Sequence, residues 1–175
     1  MDINEAQIIS ELDSMLETVE AAMMVSPHSA SPAAPPDVRL DDDGIIPVAP
    51  ESQIRGVAIL YAKHQYDACI DLMSLLDQVA LDVSKRPFFL RKVLFEEFSK
   101  GRELSDLIKK AAKANAMAAI VLLPTAGARL GKSLQKIFST NDFICRCLSA
   151  DQAADRQRAT GLIFDLMLAR PQVDT

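Results

Sequence analysis

Residues Ala126–Ser133 (AGARLGKS) carry the strongest nominal chemical motif in the chain. They fit a permissive phosphate-loop pattern in which Ala126 stands where the first glycine is usual. In such a loop Lys132 would meet β- and γ-phosphates, Ser133 would meet a magnesium ion, and backbone N–H groups would meet the phosphate oxygens. An apolar run before it (AAIVLLP) and an amphipathic segment after it (SLQKIF) supply part of the strand–loop–helix context. Asp165, at the end of the run GLIFD, could serve as the metal-side carboxylate. Three features oppose this reading. Alanine has less conformational freedom than glycine where the loop must turn sharply. Only 42 residues follow Ser133, too few for the rest of a nucleotide-hydrolysing sheet. Asp165 also fits a helical pattern with Leu162, Leu166 and Ala169. The favoured reading is a helix–helix turn, with Gly131, Lys132 and Ser133 kept as the nucleotide-binding set of an alternative.

Other chemistry is sparse. Cys145 and Cys147 are two residues apart, which places them on one side of a strand but about 200° apart on a helix. No Cys–His pair has usable ligand spacing, so neither metal nor cofactor is expected. Cys69 as a nucleophile would need His64 as its base, across a turn and without an orienting third group. Asp41–Asp42–Asp43–Gly44 lacks the alternating acids and terminal Glu of a calcium loop, and reads as a solvated turn. No catalytic residue is assigned and the chain is expected not to be an enzyme.

Charge is more informative. Residues 1–50 hold ten acids and one base, while residues 51–175 hold fourteen acids and eighteen bases. Nine of those bases fall between residues 85 and 113, among them Lys85, Arg86, Arg91, Lys92, Lys109 and Lys110. They suggest a docking face for an acidic partner, this chain's own N-terminal segment included. The aromatic residues among them (Phe88, Phe89, Phe95, Phe98) follow a core period, which argues against a nucleic-acid platform, as does the net charge of −5.

The elements that must position these residues form three segments. In residues 1–25, Ile9, Leu12, Leu16, Val19 and Met23 step by three and four, the stripe of an amphipathic helix over 3–24. Its other faces are acidic, and a helix of this length needs a surface to dock on, its own core or a second copy. Residues 26–50 hold six of the nine prolines and read as an extended linker. Residues 51–175 form the core domain. Helical periodicity suggests helices over 51–63, 66–82, 84–100 (with Ser84 as N-cap and Gly101 as stop), 102–123, 128–139, 142–148 and 151–169. The expected fold class is therefore all-α. The alternative is a small α/β sheet domain with strands near 55–61, 118–123 and 143–148, because periodicity cannot assign short apolar runs.

Residues 58–70 (AILYAKHQYDACI) resemble the turn between the two helices of a tetratricopeptide (TPR) repeat. Leu60, Tyr61 and Ala62 would close the first helix, His64, Gln65 and Tyr66 would make the turn, and Cys69 and Ile70 would stand at the packing positions. A similar stretch, LFEEFSKGRELSDLI (94–108), follows at 38 residues, near the 34-residue period. The resemblance implies antiparallel helix pairs over 51–116, a concave peptide-binding face and no chemistry. The resulting expectation is a protein–protein interaction module, an adaptor, assembly factor or chaperone-like partner. Its partner would be another protein, through an acidic or amphipathic helical segment, or a second copy. The alternative is a small α/β nucleotide-binding regulator. No secretory leader pattern and no apolar run long enough for a membrane span are present. With an odd, unpatterned cysteine count, a cytoplasmic protein without membrane insertion is expected.

Overall fold

A computed structural model describes residues 5–23, 54–83, 89–140 and 142–168. The linker 26–50, Asp41–Gly44, Ser84, Lys85 and Arg86 lie outside the described residues. The architecture overturns the all-α, TPR-like expectation. Four strands, β1 (Ile54–Ala62), β2 (Phe89–Phe98), β3 (Ala118–Leu123) and β4 (Ile144–Ser149), form one parallel sheet in the order β2-β1-β3-β4. Five helices flank it: α1 (Glu5–Met23), α2 (Tyr66–Val83), α3 (Gly101–Lys113), α4 (Ala128–Phe138) and α5 (Arg156–Leu168).

The two central strands explain the misreading. Val57–Ala62 and Ala118–Leu123 are buried throughout, because helices cover both faces of the sheet. A strand buried on both faces has no polar alternation, so its continuous apolar run satisfies a helical template as well as an extended one. The supposed TPR turn is thus a strand, a turn and a helix. Leu60–Ala62 end β1, and Tyr66 opens α2. His64 makes the reversal at φ 67°, a left-handed conformation in which histidine is enriched among non-glycine residues. Within the segment expected as helix 84–100, Phe89–Phe98 form β2, paired parallel to β1 with a bulge opposite Val57/Ala58. Gly101 starts α3 rather than ending a helix. The expected helix 102–123 stops at Lys113. Asn115 turns left-handed at φ 58° and the Ala116 N–H closes on the Ala111 carbonyl at 3.1 Å, so that β3 can follow. The segments expected as strands in the alternative correspond to β1, β3 and β4.

Side chains alternate between two layers. Val57, Ile59, Tyr61, Ile120, Leu122 and Leu148 pack with α2 and α5. Ala58, Leu60, Ala119, Val121, Leu123 and Cys145 pack beneath α1, α3 and α4. The reversal of strand order at β1/β3 makes this a doubly wound sheet, a class that seats ligands at the carboxyl ends of its strands.

Helix α1 belongs to the second layer. Ile8, Leu12 and Leu16 are buried there, whereas Ile9 and Val19 are half-buried, so the burial stripe is one residue out of phase at its start. Two glycines make room. A Cβ on Gly101 would lie 2.8 Å from the Ile9 carbonyl oxygen, and one on Gly127 would lie 2.9 Å from Met15 Sδ. Polar contacts fix the register: the Gly101 N–H donates to Asp13 Oδ1 at 2.6 Å, and Lys63 Nζ donates to Glu20 Oε1 at 2.6 Å. Glu5 Oε1 accepts from Lys109 Nζ at 2.7 Å and from Ser105 Oγ at 2.6 Å.

The Lys109 hydrogen bond, and then that of Ser105, hold the Glu5 carboxyl below its ordinary value of 4.5. A carboxylate with a depressed folded-state pKa stabilises the fold above its unfolded value and loses that contribution as pH falls through the folded one. The melting temperature of Glu5→Gln should therefore lie below that of the parent chain at pH 7. The gap should close as pH falls below about 4.5. Parallel pH profiles for the two proteins would remove Glu5 from the account.

Candidate functional site

The carboxyl ends of β1, β2 and β3 lie under α1. Lys63 follows β1 and pairs with Glu20, Gly101 follows β2 and caps against Asp13, and Gly127 follows β3 and lies under Met15. The crevice at the β1/β3 reversal is therefore occupied by this chain's own helix. One strand further, at the ends of β3 and β4, the surface opens into a cavity of about 300 Å³.

Polar groups from three elements converge on it. Lys132 and Gln135 come from α4, Ser149 from the end of β4 with Gln152 just beyond it, and Arg158 from the first turn of α5. Among the described residues neither Lys132 nor Arg158 forms an ion pair. Leu123 and Leu148 supply the apolar floor. Two uncompensated cations beside neutral hydrogen-bonding groups suit an anion.

Ala126–Ser133 is neither the helix–helix turn expected nor the phosphate loop of the alternative: it leads from β3 into α4. α4 begins at Ala128, so Gly131, Lys132 and Ser133 lie inside the helix. Their N–H groups bond to carbonyls four residues back and cannot cradle phosphate oxygens. Gly131 lines the cavity and serves packing, since a Cβ there would lie 3.0 Å from the Cys147 Cβ. Lys132 lines the cavity, and Ser133 does not border it. Asp165, the supposed metal-side carboxylate, lies on α5 and pairs with Arg146 Nε at 2.7 Å.

Because β4 is an edge strand, its outer backbone groups need partners. The Ile144 N–H donates to Met117 of the neighbouring segment, so Cys145, Cys147 and Ser149 present their backbone groups outward. Side chains meet most of them. The Cys145 N–H donates to Ser139 Oγ at 3.0 Å, and Ser139 Oγ donates to the Cys145 carbonyl at 3.2 Å. Gln135 Nε2 donates to the Cys147 carbonyl at 3.5 Å, and the Ser149 N–H donates to Gln152 Oε1 at 3.3 Å. An edge tied off by its own side chains resists addition of another strand, which leaves the adjoining cavity to a small ligand. Ser139→Ala strips the partner from the Cys145 N–H, whereas the Cys145 carbonyl keeps the Arg146 Nη1–H at 3.2 Å. It should cost about 1–3 kcal/mol in equilibrium denaturation. An unchanged midpoint would mean that water replaces the hydroxyl.

The basic residues do not form one face. Arg91 and Lys92 are adjacent on β2, and Lys92 reaches Asp77 of α2 at 2.7 Å. Lys109 pairs with Glu5, and Lys110 lies 3.9 Å from Glu96. Leu12 and Leu16 of the expected partner-binding stripe are buried in the chain's own core, and the Met23 side chain is outside the described residues. The adaptor and chaperone readings lose the concave helical face on which they rested. Cys69 and Cys147 are poor nucleophiles: burial pushes Cys69 up to about 12, and a hydrogen bond shared with Cys145, together with burial, raises Cys147 well above its ordinary value. Among the described residues no three potential metal ligands come together, and no helix is long and apolar enough to cross a membrane.

Sequence reasoning identified Lys132 but missed Gln135, Ser149, Gln152 and Arg158. No local motif marks them. They meet because β4 lies beside β3 and α5 returns along it, a long-range fact of topology. Compared with models of protein families and with curated proteins, the chain gives no match.

Proposed function

We propose that this chain is a small α/β regulatory domain that binds a phosphate-bearing ligand, a nucleotide by class, at the carboxyl ends of β3 and β4. The observation that carries the reading is the convergence of Lys132 and Arg158, from different helices, on one cavity. Two cations near the ends of parallel strands provide charge, and Gln135, Ser149 and Gln152 provide neutral hydrogen-bonding groups around it. The domain acts by binding. The cavity lining combines two basic side chains with neutral hydrogen-bonding groups. The proposal differs from a phosphate loop in using side chains where that loop uses backbone amides.

Titration with pyrophosphate, followed by amide chemical shifts, tests the reading. Shifts should concentrate at Lys132, Ser149, Gln152 and Arg158 and saturate together. Shifts spread over Arg91, Lys109 and Lys110 would point to nonspecific surface charge and contradict the proposal.

A further inference from the structure

We propose that the nucleoside portion of the ligand lies in a groove that runs from the cationic cavity past Gly161 to the Arg146–Asp165 pair. This rests on the phosphate reading above and extends it from an anion to a nucleoside phosphate. The groove holds a second cavity of about 570 Å³. Both cavities are bordered by Gln135, Cys147, Leu148 and Arg158, so they adjoin.

Gly161 is the informative residue. It lies in the middle of α5 and is exposed, and a Cβ built on it would meet nothing within 4 Å among the described residues. Its backbone is not in the left-handed region. Glycine weakens a helix interior relative to alanine, and among the described residues neither packing nor backbone geometry calls for it. The missing side chain does keep the wall of the groove low.

The two ends of the groove differ chemically. At one end stand Lys132 and Arg158. Beside Arg158, Asp155 Oδ1 caps the start of α5, accepting the Gln157 N–H at 2.8 Å and the Arg158 N–H at 3.2 Å. At the other end Asp165 places a carboxylate along the wall, with its Oδ2 already receiving the Arg146 Nε–H at 2.7 Å. Carboxylates accept from hydroxyl and amino groups and repel a second anion. Leu148 and Leu162 add apolar surface, and Cys147 turns its backbone N–H to the outer side of β4. A ligand matched to this wall carries anionic charge at one end and neutral hydrogen-bond donors on a flat body at the other, as a nucleoside phosphate does.

ADP and pyrophosphate share a diphosphate and differ by the nucleoside, so they separate the two parts of the site. Calorimetric titration of the full chain should show ADP binding at least tenfold more tightly than pyrophosphate. Gly161→Leu introduces a good helix former whose side chain fills the groove. It should bring ADP down to the pyrophosphate level and leave pyrophosphate unchanged. Gly161→Ala should raise the melting temperature by about 2–4 °C while holding ADP affinity within about twofold. Equal affinities for ADP and pyrophosphate in the parent chain would overturn the proposal, as would an undiminished ADP advantage in Gly161→Leu. A dimer of the parent chain that Gly161→Leu disperses would assign the glycine to a contact between copies, and would also overturn it. Failure of pyrophosphate itself to bind would remove the phosphate reading.

Discussion

Leu12→Asp is expected to be the most damaging single change in α1. Leu12 is 1% exposed, beneath α3 and beside Gly101. Truncating a buried leucine costs about 2–5 kcal/mol, and an uncompensated carboxylate in the same place adds its own desolvation. A loss of about 4 kcal/mol corresponds to a fall in melting temperature of roughly 8–16 °C for a chain of this size. Release of α1 would relieve part of the penalty, leaving a less stable four-stranded core with α1 detached. Gly101→Val approaches the same contact from the other side. Its Cβ would lie 2.8 Å from the Ile9 carbonyl oxygen and 3.1 Å from the Ile9 Cα, and backbone cannot move aside as a flexible side chain can. Overpacking of this kind costs about 1–3 kcal/mol. The variants should not be additive, since either one removes the interface that the other perturbs. If Leu12→Asp melts with the parent chain, α1 does not belong to the core in solution.

The second large effect concerns binding. Hydrogen bonds to charged groups contribute about 1.5–3 kcal/mol, so Lys132→Ala and Arg158→Ala should each weaken pyrophosphate binding by roughly tenfold to a hundredfold. Both side chains are exposed at the rim and neither stabilises the fold through an ion pair among the described residues, so melting temperatures should move little. Lys132→Arg should retain much of the affinity, because charge at that position matters more than fork geometry. Raising ionic strength to 1 M shortens the screening length to about 3 Å and should weaken binding in parallel. A Lys132→Ala chain that binds normally would place the anion elsewhere.

The amphipathic period of α1, α2 and α4 was legible because each of these helices has one face in water. The same test failed on β1 and β3, where residues such as Ile59 and Val121 sit between two helical layers and no polar alternation survives. β2 was misread for a different reason. Leu90, Leu94 and Phe98 recur at a spacing of four, which fits a helix, yet the extra residue Val93 opposite Val57/Ala58 puts Leu90 in one layer and Leu94 and Phe98 in the other. The end of α3 was visible in principle at Asn115, a residue that tolerates the left-handed turn, but the apolar steps on either side bridged it. Lys132 drew notice for a motif that the helix does not build, and it reaches the cavity by another route. Arg158 and Gly161 could not be found from sequence: their meaning depends on α5 returning beside an edge strand. The charge division between the acidic N-terminal segment and the basic core corresponds to contacts within the chain, at Glu5 with Lys109 and Glu20 with Lys63.

The most direct test is calorimetric titration of pyrophosphate into the full chain and into the Lys132→Ala/Arg158→Ala double variant at low ionic strength. The account predicts saturable one-site binding by the parent chain, weakened at least a hundredfold in a double variant that still folds. Absence of saturable binding by the parent chain, or equal binding by both proteins, would contradict it.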